Sequence, residues 1–158
     1  MLWRDLPLPV VAVVGPTAVG KTVLAIELAE VYEGEIVSAD SRQFYRGMDI
    51  GTAKPTPEEL ARVPHHLIDV AEPGESWSLA AFKREAQEVL AGIHARGKLP
   101  FLVGGTGQYV YGLLEDWQIP TQEPDHRLRP VLEAWGRALG PFEFHRKLAL
   151  LDPAAANV

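Results

Sequence analysis

Eight residues near the start of the chain, Gly15-Pro16-Thr17-Ala18-Val19-Gly20-Lys21-Thr22, satisfy the pattern G-x-x-x-x-G-K-S/T at every position. A segment of this kind handles anions. Its glycines let backbone N–H groups turn inward as a nest for phosphate oxygens. The N-terminus of a following helix adds partial positive charge. Lys21 would bring a point charge to the phosphates, and the Thr22 hydroxyl would ligate Mg2+. The expected phosphate-binding residues are therefore Gly15, Thr17, Ala18, Val19, Gly20, Lys21 and Thr22, with Thr22 also the metal-associated one. A glycine turn beside an exposed lysine is the plain alternative. Placement favours phosphate: an apolar, valine-rich run precedes the loop and a helical pattern follows it.

The pattern does not say which phosphate compound binds. Proteins that hydrolyse ATP or GTP usually add an Asp at the end of another strand to hold the metal. The best-formed later apolar run, Leu99 to Val103, leads into Gly104-Gly105-Thr106 instead, and His66-Leu67-Ile68-Asp69 offers only a weak substitute. Hydrolysis is not the expected main activity.

A carboxylate is the second chemical feature. Asp40 follows the short run Glu35 to Ser38, which reads as a strand. At that strand's carboxyl end it would accept a proton from a substrate or hold Mg2+ through water. Capping of the loop after the strand explains an Asp there equally well. Gln43 could hydrogen-bond a base edge, and Phe44 and Tyr45 could stack on one or belong to the core.

These residues need a frame. Pro9 to Val14 reads as a strand buried on both faces, because it is wholly apolar. A helix over Lys21 to Tyr32 would place Leu24, Leu28 and Val31 on one face, with Gly34 past its end. His66 to Val70 is a third strand. Ser78 caps a long helix carrying Leu79, Phe82, Ala86, Val89, Leu90 and Ile93 that stops at Gly97. Leu99 to Val103 is a fourth strand, and a helix covers Tyr109 to Leu114. Alternating strand and helix predicts an α/β fold: a phosphate-loop parallel sheet flanked by helices, with a ligand site at the carboxyl ends of the strands.

After Pro120 the texture changes. Four prolines at 120, 124, 130 and 141 separate helical stretches, Leu128 to Leu139 and Phe142 to Leu150, and Pro153 opens another. Residues 1–119 are expected to form the catalytic core and residues 120–158 a helical appendage.

The chain of 158 residues carries a formal charge of −6, which argues against a nucleic-acid partner, since phosphate neutralisation needs clustered Lys and Arg. The excess acid lies in residues 1–119, however, and residues 120–158 are neutral. With no cysteine, disulfides, thiolate metal sites and a cysteine nucleophile are excluded. No apolar run approaches the roughly 20 residues of a membrane span, and Met1 to Pro7 shows no export signal. A cytoplasmic monomer is expected. His65-His66 cannot chelate one ion, because adjacent strand residues face opposite ways. Trp77 and Phe82 read as packing residues, and so, more than as RNA-stacking platforms, do Trp117 and Trp135. Arg46, Lys54, Arg62, Lys83 and Arg84 are either solvated surface or an RNA-facing set.

Four blocks in order, Gly15 to Thr22, Ser38 to Pro55, Pro64 to Asp69 and Val103 to Gly107, resemble the bacterial tRNA dimethylallyltransferases, also called tRNA isopentenyltransferases. The resemblance runs from Val10 to Ala156, and the long block from Ser38 is its most specific part. It implies transfer of a dimethylallyl group from dimethylallyl diphosphate to N6 of adenosine 37 in tRNA, with the loop holding a diphosphate leaving group and Mg2+ as cofactor. It places catalytic roles on Asp40, Thr22 and Thr106. It places tRNA contacts on Asp40, Ser41, Arg42, Gln43, Thr106 and Arg127. Family members continue well beyond the point matching Val158, so the chain is expected to stop inside their helical insertion. The competing readings are an adenylate isopentenyltransferase acting on free AMP or ATP, a small-molecule kinase with a phosphate loop, and a phosphate-binding fragment without catalysis.

Overall fold

The computed structural model describes residues 9–75, 77–119, 125 and 127–157. They fall into two compact units that divide after position 120. The first contains β1 (Val11–Val14), β2 (Glu35–Ser38), β3 (His65–His66) and β4 (Pro100–Gly104). Every pairing is parallel, in the order β1-β4-β2-β3. The register sets Val14 opposite Gly104 and Ser38 opposite Val103. Three strands therefore end along one edge, and the loops that leave them converge there.

Helices cover both faces of the sheet. On one side α1 (Lys21–Val31) packs Ala25, Ile26 and Ala29 against Ile36, Phe101 and Val103. On the other, α3 (Leu79–Ala95) and α4 (Gly107–Leu114) pack on Val37 and Leu102. The Ser78 hydroxyl caps α3 by accepting from Ala81 N. The buried face of α3 is Phe82, Ala86, Leu90 and Ile93, the spacing its sequence predicts. Phe44, Trp77 and Tyr109 join Phe82 in an aromatic cluster, with the Phe82 and Tyr109 rings 4.8 Å apart. Removing such a buried ring costs about 3–5 kcal/mol.

Three sequence expectations change. The strand at β1 is not covered on both faces. Val14 is 53% exposed, since β1 is an edge strand whose Ala12 and Val14 line an open groove beside Tyr111 and Leu114. On α1 Leu24 and Val31 face outward; Ala25, Ile26 and Ala29 form the buried face, with Leu28 packed partly against the same cluster. The third strand is only two residues long, because Leu67 and Asp69 adopt positive φ angles of 59° and 56° and break the extended run. A short helix not read in the sequence, α2 (Pro57–Leu60), starts at Thr56 with a reciprocal capping box to Glu59.

The second unit holds α5 (Leu128–Leu139), α6 (Pro141–Leu151) and α7 (Pro153–Ala156). Gly140, at φ 78°, turns the chain between α5 and α6, and Trp135 meets Phe144 edge-on at 5.9 Å.

Candidate active site at the carboxyl ends of the strands

The loop after β1 folds into the turn that phosphate requires. Ala18 and Gly20 are left-handed, at φ 65° and 86°, and Gly20 is the residue from which α1 starts. Alternation of this kind gathers backbone N–H groups into a concavity. Lys21 lies back along the loop, its Nζ donating to Pro16 O at 2.7 Å.

Two further loops close on it. After β4, Gly104 passes so near the Ala39 backbone that no Cβ would fit, and Ala39 N donates to Val103 O at 2.7 Å. Gly105 sits against the phosphate loop: a Cβ there would lie 3.1 Å from Gly15 O and 3.9 Å from Lys21 Nζ. After β2, Asp40 is half-buried and its Oδ1 accepts from Arg42 N at 3.0 Å. Thr106, at the head of α4, accepts from Ser41 N at 3.2 Å and donates to Ser41 Oγ at 3.3 Å. The β2 and β4 loops are thus tied together.

Between these loops lies a cleft of about 210 Å3. Thr17, Ala18, Gly20, Lys21 and Thr22 line it, together with Ser38, Asp40 and Gln43. Ala53, Pro55, His65 and Ile68 form a further wall, contributed by the segment between β2 and α3. That segment is held by Lys54, whose side chain is buried and whose Nζ donates to Tyr45 O, Asp49 Oδ1 and Asp69 Oδ1 at 2.7, 2.8 and 2.6 Å. Burial alone would lower the pKa of Lys54, but hydrogen bonds to the two carboxylates outweigh it and raise the value. His65 donates from Nδ1 to Val63 O, burial holds its pKa down, and its buried Nε2 has no partner among the described residues.

The residues singled out in the sequence are distributed as follows. Asp40, Thr22, Lys21 and Gln43 share the cleft. Gln43 is a strut, its Oε1 accepting from Ser38 Oγ and its Nε2 donating to Ala53 O, both at 2.9 Å. Arg42 is exposed. Arg127 lies in the second unit, where its N–H donates to Asp125 Oδ1 at 2.8 Å. Phe44 is core. Arg46, Lys54, Arg62, Lys83 and Arg84 do not form a free basic set. Each is paired, with Glu72, Asp49 and Asp69, Glu30, Asp116 and Glu85 respectively. His66 reaches Glu35 Oε2 at 2.7 Å, a structural contact at the opposite edge of the sheet. The cleft wall at Ala53, Pro55 and Ile68 lies within the blocks that carry the family resemblance, but no periodicity or residue chemistry there marks it as part of the site. Only Lys54, a cation with acidic residues near it in sequence, marks that segment.

Among the described residues no group of three His, Asp or Glu side chains could hold a metal ion. A hydroxyl at Thr22 and a carboxylate at Asp40 are hard oxygen donors. That sparse set suits Mg2+, which keeps several waters and takes substrate phosphates as ligands instead of an all-protein cage. No helix among the described residues is long and apolar enough to cross a membrane.

A glycine-rich loop of the G-x-x-x-x-G-K-T pattern on a parallel sheet, a carboxylate at the next strand end and a partly apolar cleft between them define a phosphate-loop-like α/β protein. The model of the IPP transferase family matches residues 43–158, and that of isopentenyl transferase matches residues 8–72. The chain belongs to the IPP transferase family. It is 57% identical over 149 residues to a tRNA dimethylallyltransferase of Roseiflexus sp. (strain RS-1), covering 94% of this chain and 49% of that one. It is 50% identical to the tRNA dimethylallyltransferase of Shouchella clausii, covering 94% and 48%. Among solved structures it resembles the full-length tRNA isopentenylpyrophosphate transferase from Bacillus halodurans, at a TM-score of 0.69 and 50% identity, covering 94% and 49%. A eukaryotic dimethylallyltransferase acting on tRNA superposes at a TM-score of 0.77 and 30% identity, covering 93% and 36%. The chain spans about half the length of the curated relatives it matches.

Proposed function

We propose that this chain carries the diphosphate site and catalytic carboxylate of a cytoplasmic prenyltransferase. The enzyme would move a dimethylallyl group from dimethylallyl diphosphate to N6 of adenosine 37 in tRNA. The observation that carries this reading is the meeting of Lys21, Thr22 and Asp40 in one cleft, within a chain of this family.

The chemistry fits these residue types. The exocyclic amine of adenine is a weak nucleophile, so the electrophile must be strong. The N6 lone pair attacks the allylic C1 as the bond from C1 to the diphosphate oxygen breaks. Negative charge grows on the leaving diphosphate, where loop N–H groups and the Lys21 ammonium offset it from fixed positions. The Thr22 hydroxyl would hold Mg2+, which when bound would supply further neutralisation of that charge. Asp40 takes the N6 proton as the nitrogen becomes cationic. Thr106 and Ser41 hold the Asp40 loop against the β4 loop. The target base leaves the stack to reach this cleft. Arg42 and Gln43 would face the tRNA beside Asp40 and Ser41, and Arg127 would contact it from the helical unit.

Incubation with labelled dimethylallyl diphosphate and Mg2+, offered an adenosine-37 tRNA, AMP or neither, tests the reading. Label in tRNA alone supports it. Label in AMP points to an adenylate isopentenyltransferase. Diphosphate binding without label in either assigns this chain phosphate binding without transfer.

A further inference from the structure

We propose that the loop of residues 44–52 is a wedge against the RNA, with Ile50 the side chain that fills the stack where the target base leaves it. The proposal rests on the reading that an adenosine of tRNA enters the cleft.

The loop leaves the cleft at Gln43 and returns at Ala53, and both of these residues line it. The Gln43 amide closes this neck, its Nε2 donating to Ala53 O at 2.9 Å. Within the loop Gly47 and Gly51, at φ 70° and 77°, turn the backbone through the left-handed region. The three residues they bracket, Met48, Asp49 and Ile50, are all exposed. Ile50 is 99% exposed, the highest value of any large apolar residue described.

A lone apolar residue in water is ordinary. The bracing behind it sets this one apart. Thr52 is buried, and its hydroxyl donates to Met48 O at 2.6 Å. The buried Lys54 donates to Tyr45 O near the start of the loop, to Asp49 near its tip and to Asp69 in the body of the unit. All three of its ammonium protons are thereby used. Ala53 is held at φ 51°, an angle that a residue with a Cβ keeps only where its contacts over-determine it. A slack loop would fold Ile50 back onto the surface. This one holds it out, and β-branching stiffens the side chain itself.

The partner follows from the place and from the chemistry. The chain from Ile50 to Ala53 spans at most about 10 Å. The tip therefore stands within about three base steps of the cleft rim, at roughly 3.4 Å a step. A base that leaves the stack for the cleft deserts both neighbours, and an inserted apolar side chain gives them a surface in its place. No residue of the tip is cationic and Asp49 is acidic, so the tip suits bases and not phosphates. Arg42, exposed beside the neck and without an ion pair among the described residues, is left for the RNA backbone.

The test uses the 158-residue chain and an anticodon stem-loop with 2-aminopurine at position 37, whose fluorescence rises when the base unstacks. Each buried methylene is worth roughly a fourfold factor, so Ile50→Ala should weaken RNA binding at least about fivefold. At saturating protein the fluorescence rise should fall by at least about half, because the vacated stack is no longer filled. Ile50→Gln should behave like Ile50→Ala, and Ile50→Leu should restore both readings. Diphosphate affinity should stay within about twofold in all three, since Ile50 lies outside the cleft lining. Thr52→Val, which frees Met48 O, should lower the fluorescence rise in the same direction. Unchanged affinity and fluorescence in Ile50→Ala overturn the wedge. So does weaker binding with an undiminished rise at saturation, which makes Ile50 an ordinary contact. No rise with the unaltered chain bound to the RNA also overturns it. An unaltered chain that does not bind the RNA overturns the reading of the substrate, and the wedge with it.

Discussion

Thr106 Oγ1 accepts a hydrogen bond from Ser41 N at 3.2 Å and donates to Ser41 Oγ at 3.3 Å. The two residues lie 65 positions apart in the chain. Their contact joins the loop bearing Asp40 to the head of α4. Thr106 would ordinarily cap that helix, yet makes no side-chain cap bond. Its hydroxyl is committed to the site instead of to its own helix. Thr106→Val removes both bonds at nearly constant volume. A loss of about 1–2 kcal/mol of stability is expected, read by chemical denaturation, with a larger proportional loss of prenyl transfer than of diphosphate affinity.

In the proposed reaction Asp40 acts on the amine and not on the diphosphate. Asp40→Asn keeps the shape and the acceptor for Arg42 N. Transfer to tRNA should fall by about 10²–10⁴, the usual worth of a positioned base. Diphosphate affinity measured by titration should change little. Undiminished turnover would remove Asp40 from the mechanism.

Gly104 is needed for close approach, not for an unusual backbone angle. Gly104→Ala drives a methyl group into the Ala39 backbone, which cannot move without breaking the Ala39 N to Val103 O bond. A loss of about 1–3 kcal/mol is expected from this overpacking. Because Gly105 abuts the phosphate loop, diphosphate affinity should fall together with the melting temperature.

Glu35 provides the pH dependence. The Arg96 guanidinium, bound to it through two nitrogens at 3.0 and 2.8 Å, holds its carboxyl below the ordinary value; burial opposes this and His66 adds to it. A carboxyl depressed in the folded state contributes stability that is present above its unfolded value, about 4.5, and is lost as pH falls below that. Glu35→Gln should cost about 1–3 kcal/mol at neutral pH, discounted because Arg96 is half exposed. The cost should shrink on acidification, so thermal melts of the two proteins should converge below pH 4.5.

Much of the fold was legible because its signals are local. The phosphate loop, Ser78 as a cap and the periodic face of α3 each depend on residues within a few positions of one another. The faces of β1 and α1 were not legible. Wholly apolar stretches such as Val11–Val14 and residues 23–26 of α1 do not say which side meets the sheet, and packing selected Ala25, Ile26 and Ala29 over Leu24. Gln43 reads equally well as a base-reading amide and as a strut, and only the positions of Ser38 and Ala53 decided it.

The sequence alone determined which chemical groups are present and where each stands on its element: a glycine-rich loop with Lys21 and Thr22 at the end of one strand and a carboxylate at the end of the next. Tertiary structure decided what they share. Parallel pairing in the order β1-β4-β2-β3 brought three strand ends level. Gly104 let two loops touch, and Lys54 folded a segment without periodicity across the cleft. These contacts join residues far apart in the chain, and no local spacing encodes them.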